Sequence, residues 1–239
     1  MNTPINTSIA ERLQQTQQRI ADAAQRYTRS QQDIQLIAVS KTQPAEALRT
    51  AYLAGQTHFG ENYLQEALEK IDALKDYPLT WHFIGSIQSN KTKTIAEHFD
   101  WVHSVDRLKI ATRLNDARAA CSTSPLNICL QINISEEQSK SGTTLPELKE
   151  LANAIQQLSH LKLRGLMALP APHKDFEQQR TSFAKLKELQ LELNECGFAL
   201  DTLSMGMSND LEAAIAEGAT LVRIGSAIFG PRAKPAHRG

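Results

Sequence analysis

Lys41 is the residue of this chain best placed for covalent chemistry, because the apolar run Ile34 to Ser40 reads as a buried strand and delivers it at the carboxyl end. In α/β architectures, ligands gather at that end of the strands. An amine held among apolar neighbours has a lowered pKa and can attack an aldehyde as the free base, giving a Schiff base. Lysines also stand at strand ends simply to return the chain to water, so other residues must supply a reason for the reactive reading.

Two later turns supply one. The stretch SMGMSND, Ser204 to Asp210, follows a seventh strand signal: Gly206 permits close backbone approach, Ser208 offers a hydroxyl, and Asn209 with Glu212 resembles a cap on the next helix. The stretch RIGSAIFG, from Arg223, follows an eighth, and Gly225 and Ser226 would present backbone N–H groups at the start of a short final turn. Either turn alone is ordinary loop chemistry. Together they stand where barrels often build a phosphate site, and they predict one that holds a dianion.

Arg223 lies within the eighth strand, on the alternating face it shares with Leu221, and a charge there needs a partner or a ligand. A structural ion pair would satisfy it. Beside a pyridine ring, its permanent charge would leave the ring nitrogen unprotonated and weaken the ring as an electron sink. Asn62 with Glu61 and Glu66 follows the second strand, and Gln88, Asn90 and Lys91 follow the third. Helix capping would account for either group, but both fall at carboxyl strand ends, where sites form.

The elements that must hold these residues alternate. Ile9, Leu13, Ile20, Ala24 and Tyr27 recur at helical spacing and predict an opening amphipathic helix. Strands are predicted at Ile34–Ser40, Thr57–Gly60, Trp81–Gly85, Trp101–Val105, Leu126–Ile134, Leu163–Leu169, Thr202–Met205 and Leu221–Gly225. Helices are predicted between them, at Pro44–Ala54, Asn62–Leu74, Lys91–His98, Arg107–Ala120, Pro146–Leu158, Phe176–Cys196 and Asp210–Glu217. Eight strand–helix units favour an α/β fold closed as a single (β/α)8 TIM barrel with an extra N-terminal helix. The open dinucleotide-binding alternative would want a GxGxxG after its first strand, and none is present. One domain over 1–239 is expected, with 1–30 carrying the helix packed on the barrel and 233–239 a disordered tail.

Composition narrows the ligand class. Lysine plus arginine equals aspartate plus glutamate at 26 each, so the basic footprint of a nucleic-acid binder is missing and a small molecule is favoured. Cys121, Cys129 and Cys196 are too few and too widely spaced for a disulfide framework or a zinc motif, which fits a reducing cytoplasm. No apolar run is long enough to span a bilayer and the first residues carry no signal pattern, so neither membrane nor export is expected. The histidines form no HxxxH pair, and no metal is assigned.

Seven motifs, AVSKTQP, HFGENYLQE, WHFIGSIQSNK, INISEEQSKSG at 132–142, GLMALP at 165–170, MGMSND and RIGSAIFGPR, resemble in order the signatures of the pyridoxal phosphate homeostasis proteins, from about Leu36 to Arg232. Departures are small: Ile87 stands where leucine is more usual. The resemblance implies a barrel of the alanine racemase N-terminal type that binds pyridoxal 5'-phosphate (PLP). By motif position it puts Lys41 in a Schiff base with the cofactor, Asn62 beside the ring substituents, Ser208, Gly225 and Ser226 at the phosphate, and Arg223 at the ring nitrogen. It further implies a carrier that supplies PLP to dependent apo-enzymes; a monomer is expected, and no catalytic residue is assigned. The rival is a PLP-dependent amino-acid racemase using the same lysine. Against it, related racemases add a second, mostly β domain with an opposing base, and only Ser226 to Gly239 follow the last strand here. A third reading, a sugar-phosphate enzyme with a Lys41 Schiff base, explains the phosphate turns but not the full motif set.

Overall fold

The computed structural model describes residues 7–121, 124–134, 142–143 and 145–230. The tail 233–239 and the stretch 135–141 of the fourth motif lie outside those residues.

Eight parallel strands close on themselves in chain order: β1 Gln35–Val39, β2 His58–Glu61, β3 Thr80–Phe83, β4 Trp101–Val105, β5 Leu126–Ile132, β6 Leu161–Ala168, β7 Thr202–Ser204 and β8 Leu221–Ile224. Pairing of β8 with β1, Ala38 opposite Ile224, completes the circle. After the opening helix α1 Ile9–Arg26, the crossovers are α2 Ala45–Leu53, α3 Leu64–Ala73, α4 Thr92–His98, α5 Leu108–Ala120, α6 Leu145–Gln156, α7 Phe176–Glu195 and α8 Leu211–Ala216, with a short α9 Ser226–Phe229 after β8. Every predicted element is found, with ends moved by at most 2 residues. Among the described residues, no helix is long and apolar enough to cross a membrane.

Each strand divides its side chains between two interiors, because successive residues point to opposite faces. In β1, Leu36 and Ala38 join the continuous apolar layer between sheet and helices. Ile37 is equally buried but stands outside that layer, as do Cys129, Met167 and Leu221. These four share the barrel lumen with buried polar groups described below. The amino-terminal end of the lumen is closed by Trp101, with the Arg164 guanidinium 4.8 Å above its ring and paired to Asp201 at 2.7 Å.

Helix α1 starts on a capping box: Ser8 Oγ accepts from the Glu11 N–H, and Glu11 Oε2 accepts from the Ser8 N–H. Its apolar stripe, Leu13, Ile20, Ala23 and Ala24, is buried. From the same helix Arg12 donates to the Ile228 carbonyl and Arg19 pairs with Glu212, which fastens α1 over α8 and α9.

Closure leaves no slack between β6 and β7. A Cβ built on Gly165 would lie 1.7 Å from the Thr202 carbonyl oxygen, so any side chain there must force two paired strands apart. Gly165→Ala should therefore destabilise the fold by at least ~1–3 kcal/mol, the usual range for overpacking. The check is a urea transition displaced to lower concentration at unchanged slope; an unmoved midpoint would contradict the packing described.

Candidate functional site

Lys41 is half-buried just beyond β1, and both of its neighbours are held from below. Ser40 is fully buried; its Oγ donates to Glu61 Oε1 at 2.6 Å, and its carbonyl accepts from Lys70 Nζ at 2.7 Å. On the other side the Thr42 N–H donates to Glu66 Oε1. Thr42 has φ 64, a left-handed conformation that is uncommon for a β-branched residue and points to functional strain. Lys70 joins the two shoulders. Its ammonium has three protons, and these go to the Ser40 carbonyl, Glu61 and Glu66. Burial raises the Glu61 pKa, against the hydrogen bond and charge of Lys70, which pull it back.

Register identifies what surrounds Lys41. Val39 lies opposite Gly60, so two residues further on Lys41 stands by the end of β2, where Asn62 follows. On the other side Gly225 follows β8 beside Val39; a Cβ there would come within 3.1 Å of the Val39 carbonyl oxygen. Asn62 Oδ1 is buried and has no hydrogen-bond partner among the described residues, as is also true of Glu61 Oε2. Asn62 lines a cavity of ≈ 220 Å³ at the barrel mouth, together with Ile84, Gly85, Ser86, Gln131, Ile132, Asn133 and Leu169. Lys41 and the two glycine turns adjoin that mouth by register but do not line the cavity. Gln88, Asn90 and Lys91 are exposed and do not line it either.

The two glycine turns, after β7 and after β8, lie at adjacent strand ends. Gly206 has φ 92, the left-handed region where glycine carries no Cβ penalty. Ser208 is half-buried in the following turn, and its carbonyl accepts from Arg19 on α1. The cap expected from Asn209 and Glu212 is not what forms. Helix α8 begins after Asp210, whose Oδ1 instead accepts the Met207 N–H, while Glu212 turns outward to Arg19. Gly225 precedes α9, and Ser226 is exposed on its first turn.

Arg223 points into the lumen and makes no ion pair among the described residues. It donates from Nη1 to Ser204 Oγ at 2.6 Å and from Nη2 to the Ala168 carbonyl at 3.0 Å. Burial brings it down to about 10, against the pull of Asp210 and Cys129, so it remains a cation at neutral pH. Ser204 Oγ lies 2.7 Å from His103 Nδ1. His103 Nε2 is 3.0 Å from His82 Nδ1, and His82 Nε2 is 2.9 Å from His58 Nδ1. His82 and His103 are fully buried and His58 is half-buried. Burial first, then the charge of Arg223, pushes His103 down to about 3; burial also lowers His82 and His58. These histidines, Ser204 and Lys70 were not anticipated as site residues. The histidines were discoverable once the strands were assigned, since each falls on a successive strand.

The whole barrel has known relatives. Residues 12–233 match the family model for the alanine racemase N-terminal domain. The chain is 58% identical over 226 residues to the pyridoxal phosphate homeostasis protein of Pseudomonas aeruginosa, covering 95% of this chain and 96% of that one. It is 52% identical to the protein of the same name from Escherichia coli, covering 94% and 97%. Among solved structures, PipY of Synechococcus elongatus with PLP bound is similar at a TM-score of 0.82 and 39% identity, over 93% of this chain and 100% of that one. An alanine racemase of Clostridium difficile shares the fold at a TM-score of 0.69 and 14% identity, with 57% of its length covered.

The depressed imidazoles make a pH signature. A histidine whose folded pKa lies below its unfolded value contributes stability that is complete above the ordinary 6.5 and is lost as pH falls from there towards about 3, because only the unfolded chain takes up the proton. Urea stability should therefore fall from pH 6.5 to 5, by up to ~1.4 kcal/mol per pH unit for each such group. His103→Asn should flatten that slope by about one proton's worth. A wild-type profile that is flat in this window would show that the imidazoles are not sealed from water.

Proposed function

The chain belongs to the pyridoxal phosphate homeostasis protein family, and from that premise we propose that it binds pyridoxal 5'-phosphate, holds it on Lys41 as a Schiff base and supplies it to PLP-dependent apo-enzymes. The observation that carries the reading is the setting of Lys41: one half-buried amine between two clamped neighbours, next to the strand end that bears Asn62 with its buried, unpartnered Oδ1. PLP supplies an aldehyde that condenses reversibly with primary amines.

The other expected residues suit the group. The turns around Gly206–Ser208 and Gly225–Ser226 would take the phosphate; Gly206 is fixed as glycine by its φ of 92 and by Ala214, whose Cβ would lie 2.5 Å from a Cβ there. Arg223 would face the ring nitrogen; its two named hydrogen bonds leave further N–H donors of the guanidinium for a ligand. A reducing cytoplasm and a monomeric single domain over 1–239 complete the proposal, the former on the three free cysteines.

Two experiments test it. Borohydride reduction of the PLP-loaded protein followed by peptide mapping should place the pyridoxyl group on Lys41, and Lys41→Ala should lose the visible absorbance without losing the fold. Modification confined to Lys91 would assign the wrong lysine. A carrier should also restore activity to an apo-enzyme mixed with it, while showing no alanine racemase activity. Amino-acid turnover at ~1 per second or faster, abolished in Lys41→Ala, would convert the reading to that of an enzyme.

A further inference from the structure

His58, His82 and His103 stand on β2, β3 and β4, each one strand over and two residues further along in register than the one before. His58 pairs opposite Thr80, and His82 opposite Trp101. The series therefore rises from the amino-terminal end of the barrel towards the mouth. Its next link, His103 to Ser204, joins β4 to β7 and skips the two strands between them, which is possible only through the lumen. The last link, Ser204 to Arg223, ends at the guanidinium.

The end group sets the sense of the whole series. A guanidinium only donates, so Ser204 Oγ accepts from Arg223 and has its own proton to place. Ser204 is fully buried, and His103 Nδ1 is the one further partner of its Oγ among the described residues. An unmade hydrogen bond on a buried hydroxyl is costly, so Ser204 donates and His103 Nδ1 accepts. A neutral imidazole that accepts on Nδ1 carries its proton on Nε2, which then donates to His82 Nδ1. The same step repeats from His82 to His58, whose Nε2–H is left for the barrel base.

We propose that His103 is a positioning residue for Arg223, acting through Ser204, and that the three imidazoles form one uncharged relay with every proton on Nε2. The ligand half of this inference rests on the proposed function, since Arg223 is the group that would face the PLP ring. The tautomer half does not.

Long-range proton–nitrogen correlation spectra of the whole protein, labelled with 15N-histidine, test the relay without any ligand. His82 and His103 should each show a protonated Nε2 and a bare Nδ1, and a proton on either Nδ1 would overturn the relay. For positioning, His103→Leu removes the acceptor, Ser204→Ala removes the donor, and His103→Asn offers an amide oxygen near the place of Nδ1. PLP affinity should fall roughly five- to thirty-fold in the first two, the weight of one buried hydrogen bond. The 15N resonance of the PLP ring nitrogen should move with it, and His103→Asn should recover most of both. Unchanged affinity and an unchanged ring-nitrogen signal in folded His103→Leu and Ser204→Ala would refute positioning. Failure of the wild-type protein to bind PLP would sink the proposed function and the positioning role with it, while the tautomers would still decide the relay.

Discussion

A guanidinium sealed inside a closed barrel has no water to turn to, and much of the lumen is arranged around that fact. Arg223 is 4% exposed, and isolated charge in such a place is prohibitively unstable without acceptors. The barrel provides a serine hydroxyl from the neighbouring strand and a carbonyl from the strand beyond it. The serine in turn needs a partner, and the nearest is an imidazole reached across the lumen. That imidazole stays neutral because the same charge and the same burial penalise its protonation. The Cys129 thiol is pushed up to about 12 by burial, so it too stays uncharged beside the cation.

The second constraint lies under Lys41. Helix α3 delivers Lys70 and Glu66 beneath the end of β1, and with Glu61 from β2 they grip the residues on both sides of Lys41. Buried ion pairs contribute little net stability once their desolvation is counted, and their better-attested value is to fix one arrangement over others. Here the arrangement includes a strained threonine directly after Lys41.

Much of this was legible in the chain. The apolar run ending at Lys41, the alternation of strand and helix signals, and the two glycine turns reported local preference, and local preference decided those elements. What escaped was long-range. Lys70 sits in an amphipathic helix, where a lysine ordinarily reads as part of the solvated face, and nothing nearby in sequence reveals that its partners reach back to Ser40. His58, His82 and His103 are spaced by the length of a strand–helix unit, so a search for metal-ligand spacings within one helix passes over them. Asn209 resembled a cap because its type suits one. The turn after β7 instead spends an aspartate, Asp210, on the Met207 N–H, and the helix starts later.

The fold is shared with racemases at 14% identity, and fold alone does not assign chemistry. The titrating groups bear on the question more directly. General acid–base catalysis works best with a group whose pKa lies near the working pH. In the lumen the His82 and His103 imidazoles are driven below that range and the guanidinium stays above it. Two carboxyls are raised by burial: Asp210 is engaged by a backbone N–H, and Glu61 is engaged through Oε1 by Ser40 and Lys70 while its Oε2 has no partner among the described residues. A barrel built this way suits a reactive aldehyde that must be held and released unchanged. In the proposed function Lys41 would provide a reversible covalent grip, while the buried imidazoles His82 and His103 of the lumen are held neutral.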